Sequence, residues 1–450
     1  MMKPTGVIFF PAFDWAISPT HPEREERLLY TRDQLFEEGI MDLPHIKEYK
    51  PELASFKDVL RVHFCVPSVE ERIIEAHLVA AGSALKLADA FLAGEIKNGF
   101  AIVRPPGHHA MTVSHANRGF CDINNEAIMI EYVRKKYGIK KVAIVDTDVH
   151  HGDGTQEIYY NDPDVLFISF HQDGRTLYPG TGFTSEAGWG RGYGTTINIP
   201  LPPRTSDEGI HYVLDNLVLP ILEDFKPDLV VNSAGQDNHY TDPLADMCFT
   251  AQGYALLNKK LKPDIAVLEG GYSVETALPY VNMGIIMAMA GLDFSNLKEP
   301  DYSQNRLRNG SSHLDYLKKL VEKQLFLYRN REEVVNKQYA ENKNRFYVEQ
   351  KSIFYDTEYL YEMQNNKLRL CPECQGYRVI ESTARHRDGI TYNVGCISIP
   401  VNCCRNCHDE ARAVYIDMQE KARYDMVYLQ DRIDDRYYSF HVQKGIEKVW

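Results

Sequence analysis

The residues able to do chemistry are densest between 142 and 156, where the sequence reads VAIVDTDVHHGDGTQ. A short apolar run ends there in Asp146, Asp148 and His150, which stand on alternate residues. Alternate side chains of an extended chain point to the same side, so one face presents two carboxylates and an imidazole. Divalent zinc and iron accept this ligand set. The alternative is an acidic turn with helix-capping aspartates, and the number of titratable groups at one strand end argues against it.

The elements that must position this loop are alternating strands and helices. Short apolar runs predict strands at 7–10, 100–103, 142–145, 165–169, 195–199, 229–232 and 265–268. Helical spacing predicts helices at 23–37, 69–92, 124–137, 206–225 and 315–337, the third ending at Gly138 as a C-cap. This alternation predicts an α/β fold, a single mostly parallel β-sheet flanked by helices. Ligands bind such sheets at the carboxyl ends of the strands. The candidates that follow predicted strands are His108, His109, Asp148, His150, Asp237 and Tyr272.

Composition indicates which classes of protein this chain can belong to. A chain of 450 residues with 44% hydrophobic and 25% charged content is typical of soluble globular proteins. The net charge of −13 argues against nucleic-acid binding. The N-terminal apolar run is too short for a signal peptide, and no stretch is long enough to span a bilayer, so a cytoplasmic protein without membrane attachment is expected. Shifts in composition predict four segments: 1–292, 293–370 (helical or irregular), 371–410 (a small cysteine module) and 411–450 (a tail).

The cysteines of the third segment have metal-ligand spacing. CPEC at 371–374 and CCRNC at 403–407 form two Cys-x-x-Cys knuckles, which predicts a small zinc-ribbon-like module. The predicted structural zinc ligands are Cys371, Cys374, Cys404 and Cys407, with Cys403 an alternative to Cys404 and Cys396 a spare candidate. The role of this module is open: it would bind a protein partner, cover a site on the larger domain, or mediate self-association into a homo-oligomer.

Seven ordered motifs within 1–292 together closely resemble the zinc-dependent histone deacetylase family, which includes acetylpolyamine amidohydrolases and acetoin-utilisation-type deacetylases. They are RPPGHHA (104–110), RGFCDINN (118–125), DTDVHHGDGTQ (146–156), SFH (169–171), YPGTG (178–182), SAGQDNHYTDPL (233–244) and LEGGY (268–272). The resemblance implies an arginase/deacetylase-like sheet and a deacetylase-like catalytic domain over 1–292.

The resemblance also implies residue roles. Zinc would be held by Asp148, His150 and Asp237 with one coordination position open, as a catalytic site requires. His109 would be the general base, oriented by Asp153, and His108 would pair with Asp146. Tyr272 would donate its hydroxyl to the developing oxyanion. The implied catalytic set is therefore His108, His109, Asp146, Asp153 and Tyr272.

Further positions match the channel and a cation site of the family. The implied substrate channel comprises Gly119, Phe120, Tyr178 and Gly270, with Tyr178 standing where phenylalanine is usual. The implied potassium site comprises Asp146, Asp148, His150, Ser169 and Phe170. Arg24 matches an arginine near the inner cavity, or forms a surface ion pair instead.

Two departures from the family pattern qualify the expected function. The chain passes from 61–63 (RVH) almost directly into a helix, so a rim loop with a substrate-clamping aspartate is missing. The run Asp237-Asn238-His239 lacks a second acidic ligand, which favours a single zinc over two manganese ions. We expect a zinc-dependent amidohydrolase, a deacetylase or deacylase acting on acyl-lysine or an acylated small amine. The alternatives are a catalytically silent acyl-group-binding protein and a dimanganese ureohydrolase-like enzyme.

Overall fold

The larger part of the chain is built on one parallel sheet. In this computed structural model, residues 3–300, 302, 307–341 and 345–450 are described. Eight strands pair in the order β2-β1-β4-β10-β9-β6-β7-β8, and every pairing is parallel. The strands are β1 (Thr5–Phe10), β2 (Ile46–Glu48), β4 (Asn98–Val103), β6 (Val142–Asp146), β7 (Val165–Gln172), β8 (Thr196–Leu201), β9 (Leu229–Ala234) and β10 (Ile265–Leu268), while β3 (Phe64–Cys65) and β5 (Val113–Ser114) form a separate parallel pair.

Helices cover both faces of this sheet. Along β6, Val142 and Ile144 pack into one hydrophobic core and Ala143 and Val145 into another, as expected of a strand buried on both faces. The helices within and after this sheet are α1 (Leu29–Glu37), α2 (Phe56–Leu60), α3 (Val69–Arg72), α4 (Glu75–Leu92), α5 (Asn125–Tyr137), α6 (Asp153–Tyr159), α7 (Asp207–Val213), α8 (Leu219–Phe225), α9 (Ala251–Leu261), α10 (Ala277–Ala290), α11 (Ser311–Arg329) and α12 (Arg331–Glu341).

The predicted fold is confirmed, and each predicted strand is present. The C-cap at Gly138 is also confirmed, because that residue ends α5 in the left-handed conformation with φ of 69°. Three predicted helices, 69–92, 206–225 and 315–337, are interrupted instead of continuous. The first breaks between α3 and α4, and the last breaks between α11 and α12. Between α7 and α8 a π-helical turn spans Leu214–Val218. Pro220 follows it, and since proline has no backbone N–H to donate, the regular hydrogen-bond ladder cannot continue through it.

A second sheet occupies the C-terminal part of the chain. Its seven strands pair in sequence order, antiparallel except for the parallel β14–β15 pair, which α13 (Arg405–Gln419) connects. It draws on all three segments that composition had separated after residue 292, so it extends well beyond the cysteine-bearing interval 371–410. The strands are β11 (Phe346–Tyr355), β12 (Leu360–Arg369), β13 (Arg378–Arg385), β14 (Thr391–Ile399), β15 (Met426–Asp431), β16 (Arg436–His441) and β17 (Ile446–Val449).

The second sheet packs tightly against the larger domain. Apolar side chains of both parts share one core cluster, in which Phe64 and Val113 meet Ile380 and Tyr428. Buried polar contacts add specificity: the Tyr355 hydroxyl donates to the carbonyl of Val113 at 2.8 Å. Such satisfied buried contacts fix the relative position of the two parts. Among the described residues, no helix has both the length and the apolar character to cross a membrane.

The ion pair between Glu157 and Arg378 links the two parts and generates a stability prediction. Both side chains are buried. Burial disfavours the Glu157 carboxylate, but Arg378 and Lys351 lower its pKa to about 2. Replacing Arg378 by Met would leave a buried carboxylate poorly compensated, so Arg378→Met should lower the free energy of unfolding by about 3 kcal/mol at neutral pH.

The pH dependence of this effect follows from the direction of the shift. Because the pKa of Glu157 is lower in the folded protein, the contribution of the pair is complete above pH 4.5, the ordinary value, and is lost as the pH falls towards 2. Urea unfolding at several pH values measures it. Lys318→Met, which removes an exposed ion pair with Asp315 on α11, is the control and should give no measurable change. Equal stability of Arg378→Met and wild type at neutral pH would contradict the prediction.

Candidate active site

The candidate residues lie on loops that follow neighbouring strands. Strands β4, β10, β9, β6 and β7 are consecutive in the sheet, and all are parallel, so their carboxyl ends share one edge. The first four of these strands lead into segments with candidate residues, namely His108 and His109, Tyr272, Asp237, and Asp148 and His150, respectively. Ser169 and Phe170 lie within β7 itself. The alternation of the chain thus brings together segments that are more than a hundred residues apart.

Two carboxylates and one imidazole meet in the way that the sequence predicts. Potential ligand atoms of Asp148, His150 and Asp237 all lie within 4.8 Å of one another. The Nδ1 atom of His150 is 3.1 Å from Oδ1 of Asp148 and 3.0 Å from Oδ2 of Asp237. Ligands of a tetrahedral zinc ion are about 3.3 Å apart, so these separations suit one small divalent cation. The donor set of one nitrogen and two carboxylates is also one that zinc accepts.

Two glycines make room for these carboxylates. A Cβ atom on Gly270 would lie 2.2 Å from Oδ2 of Asp237 and 2.6 Å from Oδ2 of Asp148. A Cβ atom on Gly235 would lie 2.0 Å from Oδ2 of Asp148. The carboxylates therefore occupy space that any other residue would fill. The backbone N–H of Gly270 also donates to Asp148 at 2.7 Å, which fixes one carboxylate oxygen.

The electrostatics of the triad require a positive charge. Both aspartates are fully buried, and burial raises the pKa of Asp237, as does the charge of Asp148. Burial also opposes protonation of His150, but its hydrogen bonds to Asp148 and Asp237 raise its pKa to about 10. The imidazole therefore takes up a proton between the two carboxylates. A divalent cation in the same position would replace this proton, and the residues present fit such an ion.

His109 belongs to a buried hydrogen-bonded chain. Its Nδ1 atom lies 2.8 Å from Oδ1 of Asp153, and Arg118 donates to the same carboxylate at 2.7 Å. Burial and the neighbouring His108 lower the pKa of His109 to about 3, although the hydrogen bond to Asp153 opposes the shift. Arg118 keeps Asp153 ionised. The imidazole of His109 is therefore neutral at neutral pH, with its Nδ1 proton held by Asp153 and Nε2 left as an acceptor.

His108 is held in a different environment. Its Nδ1 atom is 3.1 Å from Oδ2 of Asp146, and its Nε2 atom is 3.8 Å from Oδ1 of Asp148. Burial opposes its charge, but Asp148 and Asp146 raise its pKa well above the ordinary value. The two neighbouring imidazoles thus differ in charge, although each is paired with an aspartate, His108 with Asp146 and His109 with Asp153. Glu269 anchors their loop by accepting from the backbone N–H of His108 at 3.0 Å.

Tyr272 faces the same cavity as the histidines. Its backbone N–H donates to Asp242 at 2.7 Å, and its ring packs edge-on against Phe120 at 5.5 Å between centroids. No other described residue is hydrogen-bonded to its hydroxyl, which is available to a ligand. The cavity has a volume of about 260 Å³ and is lined by Pro106, His108, His109, Gly119, Phe120, His150, Leu177, Tyr178, Leu244, Tyr272 and Asp356.

Of the two alternatives for Arg24, the structure agrees with the surface ion pair, and the arginine that supports the tyrosine loop is Arg27. Arg24 is on the surface and pairs with Glu26 at 3.1 Å. Arg27 is fully buried: its Nε atom donates to the carbonyl of Gly271 at 2.7 Å, and its guanidinium lies 5.0 Å from the centre of the Tyr272 ring. The two arginines are three residues apart, and sequence alone does not tell which of them points inward.

The predicted channel residues line the cavity near its mouth, except Gly270, which lies against the carboxylates. Gly119 has a φ of 51°, and a Cβ atom there would be 2.4 Å from the His109 ring, so only glycine fits. The Tyr178 ring packs against His109 at 5.2 Å. Its hydroxyl donates to Asp356 at 3.0 Å. Asp356 belongs to the C-terminal sheet and was not anticipated from the sequence.

The residues predicted to bind potassium lie where the end of β6 pairs with β7. Asp146 is the register partner of Ser169, and both are fully buried. The Ser169 hydroxyl is hydrogen-bonded to Nδ1 of His171 at 2.9 Å. The structure thus brings Asp146, Asp148, His150, Ser169 and Phe170 to the same edge of the sheet, and their role as potassium ligands stays a prediction.

The four predicted cysteines form a cluster in the C-terminal sheet. The Sγ atoms of Cys371, Cys374, Cys404 and Cys407 all lie within 4.8 Å of one another, and those of Cys371 and Cys404 are 3.9 Å apart. Sulfur ligands of a tetrahedral zinc ion are about 3.8 Å apart. Neither alternative candidate belongs to this cluster: Cys403 lies outside it, and Cys396 is buried in the core shared with the larger domain.

The structure combines a parallel α/β sheet with a buried carboxylate–imidazole triad and paired histidines at its carboxyl edge. Comparison with known proteins places this arrangement in the deacetylase class of hydrolases. The family model described as the histone deacetylase domain matches residues 65–285. A probable deacetylase of Archaeoglobus fulgidus is 47% identical over 325 residues, covering 66% of this chain and 89% of the relative. The chain therefore belongs to the histone deacetylase family.

More distant relatives extend the comparison. A histone deacetylase-like amidohydrolase of Pseudomonas aeruginosa is 36% identical over 252 residues, which cover 51% of this chain and 65% of that protein. Histone deacetylase 14 of Arabidopsis thaliana, a chloroplastic protein, is 41% identical over 44% of this chain and 49% of its own length. The crystal structure of the HDA15 HD domain superposes with a TM-score of 0.63 at 29% identity, covering 76% of this chain and 99% of that domain.

The glycine beside the carboxylates generates a prediction about cation binding. Gly270→Ala places a methyl group within the space of Asp237 and Asp148, so it should weaken binding of a divalent cation at least tenfold by displacing both carboxylates. Titration of the chelator-treated protein with zinc measures it. The control is Gly310→Ala, at a position where a Cβ atom would contact nothing within 4 Å. Equal affinity in the two variants would show that these carboxylates do not bind the ion.

Proposed function

We propose that the protein is a zinc-dependent deacylase that hydrolyses the amide of acyl-lysine or of an acylated small amine. One observation carries the proposal: His109, His150 and Tyr272, which come from three separate strand ends, line the same cavity next to two buried carboxylates. Amide hydrolysis needs a base, an electrophilic centre and a donor for the oxyanion, and each has a candidate here. The catalytic unit is then 1–292, with the C-terminal sheet as an attached module.

Asp148, His150 and Asp237 would hold the zinc ion, which when bound supplies a Lewis acid that activates water and polarises the scissile carbonyl. His109 takes the proton from the attacking water on Nε2, since Asp153 holds the opposite ring nitrogen at 2.8 Å. It then gives that proton to the leaving amine. Arg118 and Asp153 orient the ring throughout.

Tyr272 supplies the hydrogen bond to the oxygen that becomes negative. Its hydroxyl is uncommitted, while its backbone is fixed by Asp242 and its ring by Phe120 and Arg27. A donor fixed in this way needs little reorganisation during the reaction, which is the source of its effect on the rate. Phe120 and Tyr178 form aromatic walls of the cavity, and the acyl chain enters between them.

The alternative functions have less support. A two-manganese site would need further ligands, but Asn238 donates to the carbonyl of Thr147 at 2.9 Å, and His239 pairs with Glu299 at 3.3 Å. Neither of the two residues that follow Asp237 adds a carboxylate to the site, which supports a single ion. A catalytically silent binding protein would not require His109, Asp153 and Tyr272 to be arranged for proton transfer.

The proposed oxyanion role is tested by Tyr272→Phe, which removes only the hydroxyl. Turnover of a fluorogenic acyl-lysine should fall by about 100-fold or more, because one oxyanion donor is lost, while zinc content stays the same. Steady-state kinetics and elemental analysis measure the two quantities. Tyr361→Phe, at an exposed position of β12, serves as the matched control. Full activity of Tyr272→Phe would exclude the role.

The metal content provides a separate test of both sites. We expect two zinc ions per chain, one removed readily by a chelator and one retained by the cysteines. Cys404→Ser should lose the retained ion because it removes one of four thiolates, whereas Cys403→Ser should keep it. Elemental analysis after chelation measures this difference. Two manganese ions at the aspartate site would refute the zinc assignment, and equal zinc loss in the two serine variants would refute the assignment of Cys404.

A further inference from the structure

The C-terminal sheet contributes a side chain to the mouth of the active-site cavity. The turn between β11 and β12 carries Asp356, whose Oδ1 atom accepts hydrogen bonds from the backbone N–H of Gly119 at 2.8 Å and from the Tyr178 hydroxyl at 3.0 Å. Asp356 lines the same cavity as His109 and Tyr272. It is the cavity's one lining residue from the C-terminal sheet.

Several contacts fix this turn in place. Tyr355, the last residue of β11, is anchored to the carbonyl of Val113, and the Thr357 hydroxyl bonds Asn117 at 2.7 Å. Arg118, which orients Asp153, also donates through Nε to the carbonyl of Phe354 at 3.1 Å. The turn is therefore bound on both sides of Asp356, and its carboxylate is held as part of the mouth. A charge on such a rigid support acts at a defined distance from the substrate.

One carboxylate oxygen of Asp356 has no direct partner, although Arg387 binds the carbonyls of Thr357 and Glu358 in the same turn. No described lysine or arginine forms an ion pair with it, and its Oδ2 atom has no hydrogen bond to another described residue. The neighbouring lining residues Pro106, Leu177 and Leu244 are apolar. His21 packs against Phe120 close by, and partial burial lowers its pKa, so it is neutral at neutral pH. The cavity lining thus includes one carboxylate oxygen without a partner among the described residues.

We propose that Asp356 is a specificity-determining residue, whose carboxylate at the channel mouth binds a cationic group of the substrate. The preferred substrate is then an acylated amine that bears a second, positively charged amine a few carbons from the amide. One oxygen keeps Gly119 and Tyr178 in place, and the other receives the ammonium. This inference rests on the proposed deacylase function and narrows its substrate class.

The test compares two substrates of the same length, N-acetyl-1,4-diaminobutane and N-acetylbutylamine, on the full-length zinc-loaded protein. Wild type should prefer the cationic compound. Asp356→Asn removes the charge but keeps the size of the side chain and the oxygen that accepts from Gly119 and Tyr178. The ratio of kcat/KM for the cationic compound to kcat/KM for the neutral compound should therefore fall roughly tenfold. Glu358→Gln removes the same charge from the same turn at a residue outside the cavity lining, and should leave the ratio as in wild type.

Binding of inhibitors tests the same preference for a cationic group without depending on turnover. Calorimetry with a hydroxamate bearing a terminal ammonium and with its neutral isostere should show the same change in the ratio of Kd values. If wild type binds the cationic hydroxamate preferentially but hydrolyses neither amide, the proposed hydrolysis fails while the role of Asp356 stands. Equal affinity of wild type for the two hydroxamates, or no binding of either, overturns the role of Asp356. A ratio that Asp356→Asn leaves as in wild type, or that Glu358→Gln changes equally, overturns it as well.

Discussion

Burial of two carboxylates at one edge of the parallel sheet is the constraint on which the site depends. Asp148 and Asp237 are fully buried, and such charges are stable only when an opposite charge lies between or beside them. The nearest arginines are committed elsewhere, since Arg27 pairs with Glu23 at 2.7 Å and Arg118 with Asp153 at 2.6 Å. The positive charge between the two carboxylates therefore comes from a protonated His150 or from a bound cation, with His108 beside Asp148 as a further source. The glycines at 235 and 270 leave the space that the two carboxylates occupy, because a Cβ atom at either position would clash with them.

The parallel sheet was predictable because its strands are continuous apolar runs that end in polar loops. Their order was not predictable from alternation alone, yet the shared edge was, because it follows from the strands being parallel. The short edge strand β2 went unrecognised, since only Ile46 of its three residues is buried. The family motif points to Arg24, with a surface ion pair as its alternative, and it does not reveal Arg27. Which arginine is buried depends on where the 3-10 turn over Glu25–Leu28 directs each side chain.

The C-terminal part was less predictable for a physical reason. Its strands β11 and β12 are rich in tyrosine, asparagine and charged residues, because one face is exposed and the other packs on polar as well as apolar groups. Buried polar side chains form hydrogen bonds with one another there. Nδ2 of Asn366, for example, donates to Oε1 of Gln364 at 2.9 Å. A hydropathy pattern does not reveal such pairs, because it predicts that polar side chains are exposed. The two cysteine knuckles marked the module, but not the sheet built around them.

The position of the cysteine cluster relative to Asp356 separates two roles within this sheet. Cys371 follows the end of β12 at Arg369, whereas Asp356 precedes its start at Leu360. A strand of ten residues is about 33 Å long, so the cluster and the active-site mouth lie at opposite ends of the β11–β12 hairpin. The cysteine cluster is therefore at the end of the hairpin away from Asp356. The end that carries Asp356 is instead held by the larger domain, through Tyr355 and Thr357, and it is this attachment that makes an appended sheet part of the wall of the active site.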